Sequence, residues 1–357
     1  MRICFLTQNL NTKDGGGRFS HDFVSNLRNQ GVEVVVLTRE KGEFSFLNFF
    51  KIRKIFKKAD IIHVIDIWPN GFYAKLISLG LKKPIIITAL GTYSTSPFYT
   101  WRRQLMIWTC SSAKIIAISD YTKEKINKIL PHLKIRVICP GFNLDFWSST
   151  EVRLQEFPEV GLRYEDYKPY ILSVGALKPR KGYHNSIRAF GIVAKQFKNL
   201  NYVIIGQGEE SDYAKDLKSF IKDNGLENRV FFISSGIDDN KLLEFYRNAE
   251  LFVLTPIEED HHFEGFGIVY LEAAASGLPI VATYNSGATS ATNDGYNSIL
   301  VPQNDPQQTA GAIIKILSDN SLRSNLKNNG REWAKNFSWE KIIKSYIEIY
   351  NAYAKHN

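Results

Sequence analysis

Tyr170-Ile-Leu-Ser-Val174 runs straight into Gly175-Ala-Leu-Lys178-Pro-Arg180-Lys181-Gly182. Five residues without polar alternation, stopped by a glycine, suit a strand covered on both faces, as in a parallel sheet. Similar Ile- and Val-rich runs recur on both sides, separated by amphipathic stretches of helical length. Before it stand Ile3 to Leu6, Val32 to Leu37, Ile61 to Ile65, Pro84 to Thr88, Ile115 to Ile118 and Arg136 to Ile138. After it stand Asn201 to Ile205, Val230 to Ile233, Leu251 to Leu254, Pro279 to Thr283 and Ser298 to Val301. The pattern predicts an α/β protein of two doubly wound, Rossmann-like domains. Their connection is expected between Asn143 and Pro169, a charged stretch that also holds Pro158. A ligand is expected in the cleft between the sheets, at the carboxyl ends of the strands.

Three glycine turns lie at expected strand ends. Gly15-Gly16-Gly17 follows the first strand and precedes a helix expected to begin near Arg18, where bare amides can approach a phosphate. The dinucleotide fingerprint Gly-x-Gly-x-x-Gly is absent, and the second strand ends in Leu37-Thr38-Arg39 without an acidic residue. Lys178, Arg180 and Lys181 bring three cations to one strand end, a set suited to a diphosphate because Arg forks two oxygens and Lys supplies a point charge. Ile204-Ile-Gly206-Gln-Gly208 makes a second such turn in the same half.

Glu264-Gly265-Phe266-Gly267-Ile268-Val-Tyr-Leu-Glu272 then sets two carboxylates on either side of a glycine turn that opens a helix. With Glu272 two turns along that helix, roughly 12 Å would separate them. A carboxylate pair working on one glycosidic bond stands roughly 5 to 10 Å apart. The two therefore suit opposite ends of an elongated ligand.

Of the 357 residues 44% are hydrophobic and 23% charged, a globular composition. No apolar run approaches the roughly 20 residues of a membrane span, and Met1-Arg-Ile-Cys-Phe-Leu6 enters a strand without a signal-peptide pattern, so a cytoplasmic location is expected. Cys4, Cys110 and Cys139 are widely spaced among apolar residues and read as reduced core thiols. Residues 1–150 carry 22 Lys and Arg against 10 Asp and Glu, whereas residues 151–357 carry 23 against 26. The basic half predicts an anionic partner, either a membrane surface, as a peripheral protein on the inner face, or a lipid-linked phosphate. Nucleic acid is not expected, because finger spacing, RNP-like aromatics and a basic arm are all missing.

Phe44 to Lys58 mixes aromatic and basic residues at nearly helical spacing, with Phe49, Ile52, Ile55 and Phe56 on one side and Lys51, Lys54, Lys57 and Lys58 largely on another. It can lie on an anionic bilayer or pack on its sheet as a crossover helix, and Trp101 to Trp108 has the same ambiguity. Glu258-Glu-Asp-His261-His262 reads as a solvated loop and not a metal site, and Asp238-Asp239 as a helix cap.

Taken in order, Gly15 to Gly17, Pro179 to Gly182, Gly206 to Gly208 and Glu264 to Glu272 resemble a retaining, GT-B-fold glycosyltransferase of family 4 (glycosyl transferases group 1). Asp60-Ile-Ile-His63-Val-Ile-Asp66, Ala113 to Ser119, Ile138 to Asn143 and Asn293 to Pro302 extend the likeness over nearly the whole chain. The resemblance implies an acceptor-binding domain (1–165), a nucleotide-sugar domain (166–336) and a last helix (337–357) crossing back to the first; Phe337 to Tyr350, with Ser338 as a cap candidate, has the matching amphipathic pattern. It implies catalytic roles for Glu264, Lys181 and Arg180: the cations neutralise a departing UDP or GDP, and Glu264 holds sugar hydroxyls. It places Gly16, Gly17, Gly206, Gly208, Gly265, Phe266, Gly267 and Ile268 against the donor and Glu272 at the ribose. No cofactor and no metal are expected, the cations standing in for one.

Three positions depart from the family's pattern. Leu90 stands where many relatives carry His, Ala176 where Arg is frequent, and Thr289-Ser290 where Pro-Glu is usual. The function expected is transfer of a hexosyl or N-acetylhexosaminyl unit to a glycan, lipid-linked, in cell-surface polysaccharide or lipopolysaccharide synthesis. The alternatives are a nucleotide-sugar 2-epimerase of the same fold, against which Leu90 counts, and a non-catalytic subunit that binds sugar nucleotide.

Overall fold

The computed structural model describes residues 1–12, 14–149, 163–235 and 237–354. The chain divides into two compact units, Met1–Phe142 with Phe337–Asn357 and Asn143–Asn336. The second unit thus starts well before residue 166. Its first helix, Leu144–Ser148, is the reason: the Trp147 ring meets Tyr246 edge-on and the Trp147 carbonyl accepts from Ser276 Oγ at 3.3 Å. Residues 150–162 of the expected connection, Pro158 among them, lie outside the described residues.

The first unit holds β1 Arg2–Thr7, β2 Glu33–Thr38, β3 Ile61–Ile65, β4 Ile85–Ala89, β5 Lys114–Ala117 and β6 Ile135–Val137. They form one parallel sheet in the order β2-β1-β3-β4-β5-β6, so the chain switches direction across the sheet between β1 and β3. Alternation along the strands divides the core. Cys4, Leu6, Ile62 and Val64 face helices Phe49–Lys58 and Arg103–Cys110, while Ile3, Phe5, Ile61 and Ile65 face Gly15–Asn29 and the last helix, Trp339–Ala354.

Helix Phe49–Lys58 is a crossover helix: Ile52 and Phe56 are buried against the sheet, and its lysines point to solvent. Leu47 and Phe50, by contrast, are 96% and 85% exposed. Trp101 is exposed as well, whereas Trp108 is half-buried with the Lys75 ammonium 4.4 Å above its ring. All three cysteines are free, and burial pushes the Cys4 and Cys110 thiols up to about 12.

The last helix is held by a polar contact inside an apolar core. His63 on β3 bridges Tyr350 Oη at 2.5 Å through Nδ1 and Thr88 Oγ1 at 2.9 Å through Nε2. Phe5 and Phe23 close over its ring edge-on, and burial pushes its pKa down to about 3, so it stays neutral and joins two neutral hydroxyls. At the helix start, Gly141 admits the Trp339 ring, which a Cβ there would meet at 2.4 Å.

The second unit holds β7 Tyr170–Val174, β8 Asn201–Ile205, β9 Val230–Ile233, β10 Phe252–Val253, β11 Ile280–Thr283 and β12 Ser298–Val301. Their parallel order, β12-β11-β10-β7-β8-β9, places the direction switch between β7 and β10. A doubly wound sheet opens a crevice at that point, beyond its strand ends. All twelve strands fall where the apolar runs lie.

Replacing Tyr350 by Phe strands a His63 nitrogen in the core, at a cost of about 1 to 3 kcal/mol. Urea unfolding followed by intrinsic fluorescence is expected to show the first unit's midpoint fall with little change in slope. An unchanged midpoint would mean the bridge adds nothing.

Candidate functional site

The crevice of the second unit is built from the loops that follow β7, β8, β10 and β11. β7 finishes at Val174, and Gly175 turns the chain with φ +147, stacking on the next turn so closely that a Cβ on Gly206 would lie 1.9 Å from the Gly175 carbonyl oxygen. Gly175 N–H donates to Ile205 O at 2.9 Å and Leu177 N–H to Gln207 O at 2.7 Å, which ties the two turns together. Gly208, at φ +103, passes Leu177 with 3.3 Å to its carbonyl oxygen from where a Cβ would sit. Only glycine fits Gly206; at Gly208 the backbone conformation itself selects it.

From there Pro179–Lys181 makes one tight turn into helix Tyr183–Gln196. Gly182 joins them at φ +71, with a Cβ position 1.8 Å from the Thr255 carbonyl oxygen. Thr255 Oγ1 donates to Gly182 O at 3.1 Å and Ile257 N–H to Arg180 O at 2.9 Å, so the loop beyond β10 clamps the cationic turn from its far side. Tyr183 Oη, donating to Gly175 O at 2.6 Å, closes the floor.

The clamp brings three charged groups into contact. Glu264 Oε2 lies 2.7 Å from Arg180 Nη1 and 2.6 Å from Lys181 Nζ. Lys181 and Glu264 are each 8% exposed, whereas Arg180 is half-buried and Lys178 exposed. Burial alone would raise the Glu264 pKa; the Lys181 and Arg180 charges overcome it and bring it to about 2. Burial lowers the Lys181 pKa, with Arg180 and Lys178 adding to the effect and Glu264 opposing it. Two cations on one carboxylate leave one positive charge in excess at the cluster. That excess, close to bare glycine backbone, suits an anion.

Glu264 continues through Gly265-Phe266-Gly267 into helix Ile268–Ala275. Gly267 sits in the left-handed region at φ +86, where a Cβ would come 2.6 Å from the Tyr270 ring, and no side chain caps the helix. The helix start therefore keeps its positive dipole end for a ligand. Glu272, on the helix's second turn, is 5% exposed and accepts from Tyr246 Oη at 3.0 Å.

Sequence reasoning missed two residues of this assembly. Gly287 N–H donates to Glu264 O at 2.9 Å, and a Cβ on Gly287 would lie 2.2 Å from the Gly265 carbonyl carbon. Thr255 is the other. The turn Tyr284-Asn-Ser-Gly287 beyond β11 was a readable signal for the first, while nothing local marks the second. The unit thus gathers Arg180, Lys181, Glu264, Gly206, Gly208, Gly265, Phe266, Gly267 and Ile268 around the carboxyl ends of its strands, with Glu272 one turn further along the helix against Tyr246.

Gly16 and Gly17 belong to the first unit. Their helix begins at Gly15, earlier than Arg18, because Asp14 caps it by accepting from Gly17 N–H at 2.7 Å. The Gly17 amide is therefore already satisfied, and the residue packs so tightly on its own loop that a Cβ would meet Asn9 Oδ1 at 2.1 Å. Gly16 has room: its nearest neighbours across from a Cβ are Asp14 at 3.6 Å and Leu90 at 3.8 Å.

The chain is similar over most of its length to known proteins. Residues 156–333 match the family model described as glycosyl transferases group 1, and residues 13–146 match that of glycosyltransferase family 4. An uncharacterized glycosyltransferase of Methanocaldococcus jannaschii is 30% identical over 320 residues, 88% of this chain and 74% of that protein. The capsular polysaccharide biosynthesis glycosyltransferase CapM of Staphylococcus aureus is 29% identical over 350 residues, 92% of this chain and 86% of its own. The Anabaena protein HepE, solved with UDP and glucose, shares the fold with a TM-score of 0.76 at 21% identity, covering 97% of this chain and 98% of its own.

The Glu264 shift carries a pH signature. A carboxylate whose pKa is depressed from 4.5 to about 2 contributes stability that is present above 4.5 and lost as the pH falls towards 2. Up to roughly 3 kcal/mol is involved. Denaturant titrations from pH 5 to 2.5 are expected to show a steeper loss in the wild type than in Glu264→Gln, and parallel curves would remove the ion cluster.

Proposed function

Because the chain belongs to the glycosyl transferases group 1 family and has the GT-B fold, we propose that it moves a sugar, with retention of configuration, from a UDP- or GDP-sugar to a glycan acceptor. The observation that carries this reading is the buried Arg180–Glu264–Lys181 cluster at the direction switch of the second sheet. Breaking a glycosyl–phosphate bond leaves charge on the departing diphosphate, and preformed positive groups in a dry site lower that barrier most. Arg180 and Lys181 supply them as side chains, and the start of helix Ile268–Ala275 supplies them as amides, so the reaction has no need of a metal. The cations themselves need an anchor. Glu264 orients both, and its carboxylate is placed to accept from sugar hydroxyls when the phosphates draw the cations outward. Glu272, held by Tyr246, takes the ribose hydroxyls.

The acceptor falls to the first unit, and its chemistry is proposed to be a lipid-linked glycan at an anionic membrane face in polysaccharide synthesis. Two features support this. The surplus of cations lies entirely in residues 1–150, and the most exposed large apolar side chains, Leu47 and Phe50, stand beside Lys51 and Lys54. Exposed apolar residues among lysines are the composition of a bilayer-contacting surface. Among the described residues no helix is long and apolar enough to cross a membrane, so contact would be peripheral.

Incubation with a panel of UDP- and GDP-sugars and a membrane extract tests the reaction. Release of nucleotide from one donor, with label passing into glycan, is expected; an epimerised donor, or binding without turnover, would contradict it. Lys181→Ala is expected to lower kcat by about a hundredfold or more while the donor Kd weakens far less. In liposome flotation the protein is expected to bind vesicles rich in phosphatidylglycerol, to release as salt rises, and to bind several-fold less as Leu47→Ser/Phe50→Ser. Unchanged flotation of the double variant would refute this contact.

A further inference from the structure

Asp66, one residue beyond β3, stands in a conformation that its residue type does not favour, with φ 66 and ψ 146. That region is essentially glycine's, and holding a β-substituted residue there costs about 1 to 3 kcal/mol. The surroundings hold it fast: Asp66 N–H donates to Thr88 O at 2.9 Å, and its carbonyl accepts from Gly71 N–H at 3.2 Å. The strain turns the side chain towards the loop beyond β4, where Leu90 N–H at 3.0 Å and Ser94 Oγ at 2.6 Å both donate to Oδ1. No described residue donates to Oδ2 among the hydrogen bonds of Asp66, and the residue is half-buried.

Its position adds meaning to this. β3 flanks the direction switch of the first sheet, the place where a doubly wound sheet receives ligands. Leu90, whose amide fixes the carboxylate, also borders Gly16, the glycine with space in front of it. An aliphatic Leu90 side chain offers a ligand hydroxyl no partner, whereas the open carboxylate oxygen beside it does. Burial, opposed by the Ser94 and Leu90 hydrogen bonds, raises the Asp66 pKa to about 6.

We propose that Asp66 Oδ2 is a sugar-hydroxyl acceptor on the first unit, binding a hydroxyl of the glycan acceptor. The assignment rests on the transferase reading for the identity of its ligand. Asp66→Asn separates it from a purely structural role. Both neighbours of Oδ1 are donors, so the Asn oxygen keeps that place and the amide nitrogen replaces Oδ2, turning an acceptor into a donor.

Saturation-transfer NMR with methyl glycosides of glucose, galactose, mannose and N-acetylglucosamine, in the presence of UDP, reads the site without turnover. The wild type is expected to bind at least one glycoside, Asp66→Asn to bind it about tenfold or more weakly, and the Kd for UDP to move less than twofold. Asp66→Glu, which keeps the charge but displaces it by a methylene, is expected to weaken the same glycoside, and it stands in if the Asn variant fails to fold. Equal glycoside binding in wild type and variant, or none by the wild type, overturns the proposal. A wild type that binds glycosides through Asp66 yet turns over no sugar nucleotide would instead overturn the transferase reading.

Discussion

Two cations on one buried carboxylate is the constraint from which the second unit's site follows. An isolated lysine as buried as Lys181 would lose its charge, and an isolated Glu264 would gain a proton. Each persists as an ion because the other is within 2.6 Å, and Arg180 leaves the set with a positive excess. To bring an Arg-Lys turn and a distant Glu to one point, three stretches of backbone must approach closer than any side chain permits. Gly182 against Thr255, Gly206 against Gly175 and Gly287 against Gly265 are those approaches. The glycines serve the ion cluster first and a ligand only through it.

The two sheets illustrate different uses of the same topology. In the second, the direction switch between β7 and β10 carries a dense set of charges, whose repulsion and desolvation are balanced within the set. In the first, the switch between β1 and β3 carries one strained carboxylate and a glycine-started helix, and most of the unit's lysines are exposed. A concentrated positive point is chemistry for a leaving group. A single acceptor atom is chemistry for a hydroxyl.

Much of this was legible in the chain because strands of parallel sheets are local objects: each apolar run marks a strand to within a residue or two, and β7 and β8 are stopped by the glycines that follow them. The carboxylate and cation motifs were legible for the same reason, each being contiguous. What could not be read was nonlocal. Whether Gly17 offers a free amide depended on Asp14, which caps the helix from before its start and moves that start to Gly15. Gly287 matters only because Glu264 and Gly265 pack against it, and the Asp66 conformation is set by Thr88 and Gly71. The amphipathic stretch Phe44 to Lys58 could not decide its partner alone, since Ile52 and Phe56 face the core while Phe50 does not.

The central claim is that the second unit grips a nucleoside diphosphate by its Arg180–Lys181 turn at one end and by Glu272 at the other. A crystal structure with a bound, non-hydrolysable UDP- or GDP-sugar tests it most directly. The account predicts the diphosphate against Arg180, Lys181 and the amides at Gly267 and Ile268, with ribose hydroxyls on the Glu272 carboxylate. Density for the diphosphate elsewhere, or a ribose with no contact to Glu272, would contradict it.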